Sequence, residues 1–184
     1  MRERQSQGFT LVELIIVVAI LGILATIAVP NFIRMQTRSR TSEAYTNLAL
    51  LREAQLARFA DLGNFVKAGS APAGVPGMRP RPWAGANTLE FRELLGFRPD
   101  GDVYFQYGVN ASRDAFSLSA ISDLDGEGPL AQFGLVHAAP GERMGLRHEI
   151  GTCSPLGVYD PGTGKPARLD AIGPCGAADG KTRL

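Results

Sequence analysis

The chain has 184 residues, with 19 Lys or Arg against 18 Asp or Glu and a net charge of +1. That length suits one domain with a sizeable core, and the balance leaves no field to recruit a generic polyanion. Two cysteines and two histidines exclude a multi-cysteine zinc module and argue against a histidine-rich metal site, while 22 Gly and 12 Pro rule out a helical bundle along the whole chain.

The first predicted element is an apolar helix. Phe9–Val29 holds 21 residues with one charge, Glu13. At ~1.5 Å per residue it spans roughly 31 Å, close to the ~30 Å hydrocarbon core of a bilayer. A short polar stretch, Met1 to Gly8, precedes it. A secretory signal peptide would carry a shorter apolar run and a small-x-small cleavage site, so a retained membrane span is the preferred reading. Arg2 and Arg4 lie before the span, and Arg34, Arg38 and Arg40 after it. That count does not itself place the N-terminus in the cytoplasm. The short leader and the cysteine pair decide for a periplasmic head.

Glu13 needs a partner, because a carboxylate at mid-membrane costs up to ~2.5–3.5 kcal/mol. Cleavage after Gly8 would give Phe9 a new α-ammonium one helical turn from Glu13. Neighbouring chains would then neutralise one another, ammonium to carboxylate, and so fix their axial stagger.

The run Gly8-Phe-Thr-Leu-Val-Glu13 through Pro30-Asn-Phe32 resembles the class III leader and N-terminal helix of type IV pilins and their pseudopilin relatives. Continuing to Ala44, it resembles a pilin more than a secretion pseudopilin. The resemblance implies an α+β pilin-like fold, a long N-terminal helix packed on a small antiparallel sheet. It implies a prepilin peptidase/N-methyltransferase that cuts after Gly8 and methylates Phe9, with Glu13 and Phe9 serving assembly. It further implies a homo-oligomeric filament built by a cytoplasmic ATPase and inner-membrane platform machinery. The precursor would sit in the inner membrane, and the assembled subunit would be extracellular. Cleavage removes Arg2, Glu3 and Arg4, which leaves 17 basic and 17 acidic side chains.

The predicted layout is a leader at 1–8, a long helix at 9–62 whose part 9–29 is transmembrane, a Gly/Pro-rich αβ loop at 63–86, and a β head at 87–184. Gly22 and Pro30 interrupt the helix and predict a kink, with melting between them as the other option. Ala44, Leu48, Leu51, Phe59 and Leu62 mark its apolar stripe. In the loop, Arg79-Pro-Arg-Pro-Trp83 reads as a solvated segment with Trp83 packed on the head, in preference to a patch stacking on DNA.

Asn87-Thr-Leu-Glu90 reads as a capping box opening a short helix that stops at Gly96. Strands are predicted around Val103–Val109, Phe116–Ala120, Gln132–His137 and Met144–Ile150, with apolar and polar positions alternating in the first two. Cys153 and Cys175 read as a disulfide closing a C-terminal loop, against two free thiols. Asp123-Leu-Asp125-Gly-Glu127-Gly invites Ca²⁺, but the EF-hand spacing fails and a plain turn is preferred, so no cofactor is assigned. His137 and His148 would meet a metal only with a third ligand. Asn110-Ala-Ser112 matches a glycosylation sequon. No catalytic motif is present, and no enzyme is expected. Alternatives are a minor pilin, a type II secretion pseudopilin, or a single-pass anchor bearing a binding or enzymatic head.

Overall fold

The computed structural model describes residues 9–126 and 128–179. The predicted leader, Gly8 included, and Glu127 lie outside the described residues. The first element, α1 (Leu11–Leu62), is helical throughout, with Pro30 inside it. It begins two residues later than expected because Thr10 serves as its N-cap. Gly22 and Pro30 do not melt the stretch between them in the single chain.

One compact unit ends at Gln36. Its helical side chains are exposed, Leu11 at 72% and Ile23 at 66% for example. By length and composition, α1 is the one helix among the described residues able to cross a membrane.

The second unit begins at Thr37. It contains the remainder of α1, then β1 (Ala68–Ala71), β2 (Arg81–Pro82), α2 (Thr88–Leu95), β3 (Asp102–Val103), β4 (Gln106–Ala111), β5 (Phe116–Ser122), β6 (Ala131–His137), β7 (Val158–Asp160), β8 (Lys165–Arg168) and β9 (Gly173–Pro174). Five strands form one antiparallel sheet in the order β1-β4-β5-β6-β9, while β2–β3 and β7–β8 form separate pairs. The head is therefore α+β, as expected.

Side chains alternate across the sheet because successive residues of a strand face opposite sides. Tyr107, Val109, Phe116, Leu118, Phe133 and Leu135 are all buried. They meet Ala44, Leu48 and Leu51 of α1 in one core. Each such side chain contributes about 1.5–3 kcal/mol by leaving water. The helix stripe departs from expectation at its end. Gln55 is fully buried, whereas Phe59 and Leu62 are 38% and 57% exposed. Phe59 still stacks on Phe65, with ring centroids 4.6 Å apart.

Three other sequence expectations change. Residues 63–86 were read as loop, yet they contain the edge strand β1 and the short β2. Met144–Ile150 forms no strand. It runs across the sheet face opposite α1, so Ser117 and Ser119 are fully buried despite their polar alternation.

The capping box at α2 also does not form. Asn87 makes no side-chain cap. Its amide Nδ2 donates to the Ser70 carbonyl at 3.1 Å, and the Glu90 carboxylate accepts the Gly69 N–H at 2.8 Å. The free edge of β1 outcompetes the helix for both side chains, since an unpaired strand edge offers donors and acceptors that must be met. Gly96 does stop α2, with φ of 61° and its N–H donating to the Arg92 carbonyl.

Candidate functional site

Three residues build the tip of α1. Thr10 precedes the first helical residue, Leu11, and Glu13 stands at the third helical position. The Glu13 N–H donates to Thr10 Oγ1 at 3.3 Å, and Glu13 Oε2 accepts the Thr10 N–H at 3.0 Å. The Thr10 hydroxyl also donates to Oε2, at 2.7 Å. This is a reciprocal capping box, which satisfies helix N-terminal donors that would otherwise be left open. An anion there also opposes the positive end of the helix dipole.

Within one chain Glu13 therefore bonds to Thr10, while Phe9 stands beside it, 74% exposed. Both protein contacts of the carboxylate fall on Oε2. Thr10 was missed by the sequence reading, although Thr-x-x-Glu before an apolar run is the same pattern expected at α2. It forms here because no strand edge competes for the side chains.

Farther along the helix, a methyl group added at Gly22 would meet nothing within 4 Å. Pro30 supplies no N–H and so removes one helical hydrogen bond. The Thr26 hydroxyl donates to the Ile23 carbonyl at 2.6 Å.

In the head, α1 is fastened to the sheet by buried polar groups. Glu43 accepts the Tyr104 N–H at 3.0 Å and the Tyr107 hydroxyl at 2.9 Å, while Asn47 Nδ2 donates to that hydroxyl at 2.9 Å. Burial pushes the Glu43 carboxyl above its ordinary range, against the pull of these hydrogen bonds. Burial, with the Glu43 charge, likewise raises Tyr107. A cleft of about 520 Å³ opens beside Glu43, lined by Leu50, Leu95, Arg98 and Asp102 among others. Its most buried carboxylate, Glu43, is already engaged by protein donors, so this arrangement fastens helix to sheet.

Cys153 and Cys175 form the expected disulfide, with Cα atoms 4.8 Å apart. It closes the segment holding the β7–β8 hairpin and β9. Closing a loop of this size contributes ~3 kcal/mol in the chain-entropy model. Replacing both cysteines by serine is expected to lower head stability by about that amount, read as a lower denaturation midpoint that added reductant no longer shifts.

The remaining candidates are dispersed. Trp83 packs edge-on against Phe91 and Phe97, with centroids at 5.4 and 5.7 Å, so its half-buried ring rests on the head's core. The Asp123 N–H donates to the Pro76 carbonyl, and its Oδ1 accepts the Gly128 N–H at 3.4 Å, as a turn requires. Asp125 follows in that turn. Among the described residues no three His, Cys, Asp or Glu side chains cluster as metal ligands. His137 pairs with Asp170 and stacks on Phe116, whereas His148 lies against Gly134 on the other face of β6. Asn110 donates its amide to the Arg147 carbonyl at 2.8 Å.

Residues 4–29 match the family described as the prokaryotic N-terminal methylation motif. The chain is 37% identical over 120 residues to the type IV major pilin protein PilA of Myxococcus xanthus, covering 65% of this chain and 44% of that one. It is 53% identical over 49 residues to the fimbrial protein EcpC of Eikenella corrodens, covering 27% and 31% respectively. It is 48% identical over 48 residues to the type IV major fimbrial protein FimA of Dichelobacter nodosus, covering 26% and 31%. The matched stretch thus spans less than half the length of each relative. No solved structure matches the chain.

Proposed function

We propose, for a chain that carries the N-terminal methylation motif of prepilins and is similar to type IV major pilins, that it is the structural subunit of a pilus. The observation that carries this reading is an exposed apolar helix whose tip holds one carboxylate next to Phe9. In this reading the precursor is held in the inner membrane by residues 9–29 with its head in the periplasm. A prepilin peptidase/N-methyltransferase cuts after Gly8 and methylates Phe9. The Glu13 carboxylate, capped through Oε2 by its own Thr10, meets the Phe9 ammonium of the next subunit and sets the spacing between them.

Burial of Leu11–Val29 among neighbouring helices replaces contact with lipid. Inside a bilayer lipid tails are as apolar as leucine, so close packing and the charge pair, not dehydration, supply the preference for the fibre. An assembly ATPase and platform proteins drive the transfer, and the assembled subunit is extracellular. The chain then has no catalytic role and no cofactor. Gly22 and Pro30 supply the points at which the buried helix bends during packing.

Mass spectrometry of fibres sheared from the surface tests this reading. The expected product begins at an N-methylated Phe9 and ends with the head intact. A polypeptide that retains residues 1–8, or that is missing from the sheared fraction, overturns it.

A further inference from the structure

The segment Gly145–Cys153 crosses the sheet face opposite α1 without forming a strand. Beneath it lie small residues, Gly108 on β4, Ser117 and Ser119 on β5, and Gly134 on β6. A methyl group added at Gly134 would stand 2.7 Å from His148 Cε1 and 2.9 Å from the Leu118 carbonyl oxygen. One added at Gly108 would stand 2.9 Å from Ile150 Cγ1. Together these residues form a trough, and the segment fills it.

A few polar contacts hold the segment down. Asn110 and Ser117 both donate to the Arg147 carbonyl, at 2.8 and 3.0 Å. The Thr152 N–H donates to Gln132 Oε1 at 2.7 Å, and Lys67 pairs with Glu149 at 2.8 Å. His148 is the exception, because both ring nitrogens are buried and neither meets a partner in hydrogen-bonding geometry.

We propose that Gly145–Thr152 is an acid-released strap: protonated His148 has no counter-charge in the trough, so the segment lifts from the sheet while the Cys153–Cys175 bond keeps its end attached. The charged groups on the strap or bonded beside it are Arg147 and Glu149, Lys67, which pairs with Glu149, and Asp179, which accepts from the Gln132 backbone on β6. From the sheet, β4, β5 and β6 present Gln106, Asn110, Ser117, Ser119 and Gln132 to this face and no titratable group. Glu149 is already committed to Lys67.

Burial holds the imidazole at about 4, below its ordinary 6.5, and the nearby Leu118 carbonyl only partly offsets this. A histidine depressed in the closed form favours closure above pH 6.5 and loses that preference as pH falls toward 4. From these two values, opening at pH 5 is about 30-fold more favourable than at pH 7.5.

Hydrogen exchange of the full chain in detergent micelles, corrected for the intrinsic rate, tests the strap. Protection across residues 145–152 is expected to fall about 30-fold between pH 7.5 and 5, while β4 and β5 keep theirs. In His148→Leu the fall is expected to vanish, and in His137→Gln it is expected to persist. Strap protection that does not change with pH overturns the proposal, as does an equal loss across the whole sheet or an unchanged fall in His148→Leu. Should the leucine variant fail to fold, the His148 Cε1 proton resonance of the wild type decides. A midpoint between 4 and 6.5 that coincides with loss of strap protection supports the strap; a midpoint near 6.5, or one near 4 with protection retained, overturns it.

Discussion

Replacing Glu13 by valine is expected to reduce sheared fibre to near nothing while the subunit stays in the membrane fraction. Valine removes a carboxylate that costs up to ~2.5–3.5 kcal/mol at mid-membrane, and less near a helix end, so insertion is eased and not impaired. In the proposed fibre, what disappears is the anion that meets the next subunit's Phe9 ammonium. The valine variant alone is ambiguous, because Glu13 also closes a capping box with Thr10. Glu13→Gln separates the two roles. A glutamine at this position still accepts the Thr10 N–H, as capping boxes permit, but carries no charge. The pairing argument expects Glu13→Gln to assemble as poorly as Glu13→Val. Fibre yield of the glutamine variant near wild type would instead assign the assembly role to the cap. Immunoblots of sheared and membrane fractions from the same cells give the comparison.

The second large effect lies in the head. Gln55→Leu is expected to lower its stability by about 1–3 kcal/mol, since it removes two hydrogen bonds to the half-buried Val66 backbone, each worth ~0.5–1.5 kcal/mol. Gln55 is fully buried on α1. Its Nε2 donates to the Val66 carbonyl at 2.6 Å, and its Oε1 accepts the Val66 N–H at 3.1 Å. One side-chain amide thus completes the backbone of a residue that no strand pairs. Leucine fills the space but takes both hydrogen bonds away from Val66. Gln55→Glu is expected to cost at least as much at pH 7, because a carboxylate buried here must give up its charge or face the Val66 carbonyl without water. The single tryptophan, Trp83, packs among Phe91, Phe97 and Tyr107 and so reports unfolding by fluorescence. Coincident denaturation curves for Gln55→Leu and wild type would show that the amide contributes nothing net.

The proposed assembly site is legible in the sequence because its signals are local. A 21-residue apolar run, a single acid within it and a glycine ahead of it need no tertiary contact to be read. The β4 and β5 segments were legible for the same reason, since alternation along a strand is a short-range pattern. Their second face was not. Ser117 and Ser119 follow the spacing of a solvated face, yet a segment about thirty residues downstream covers them. Gln55 lies outside the apolar stripe predicted for α1, yet it is buried, with its amide on the Val66 backbone.

The two Thr/Asn-x-x-Glu patterns show where the limit lies. At Thr10 the pattern closes on its own helix. At Asn87 the same spacing is opened by the edge of β1, and both side chains turn outward to Ser70 and Gly69. A cap is worth about 1 kcal/mol, no more than the unmet backbone groups of an exposed strand edge. Sequence alone therefore determined the membrane-length helix, its charged tip and the cysteines available for one bond. Only the tertiary structure decided which polar side chains cap a helix, pair a strand edge or lie buried under a strap. Spacing fixes which partners lie within one turn, whereas competition among partners far apart in the chain is settled by which backbone groups folding leaves without water.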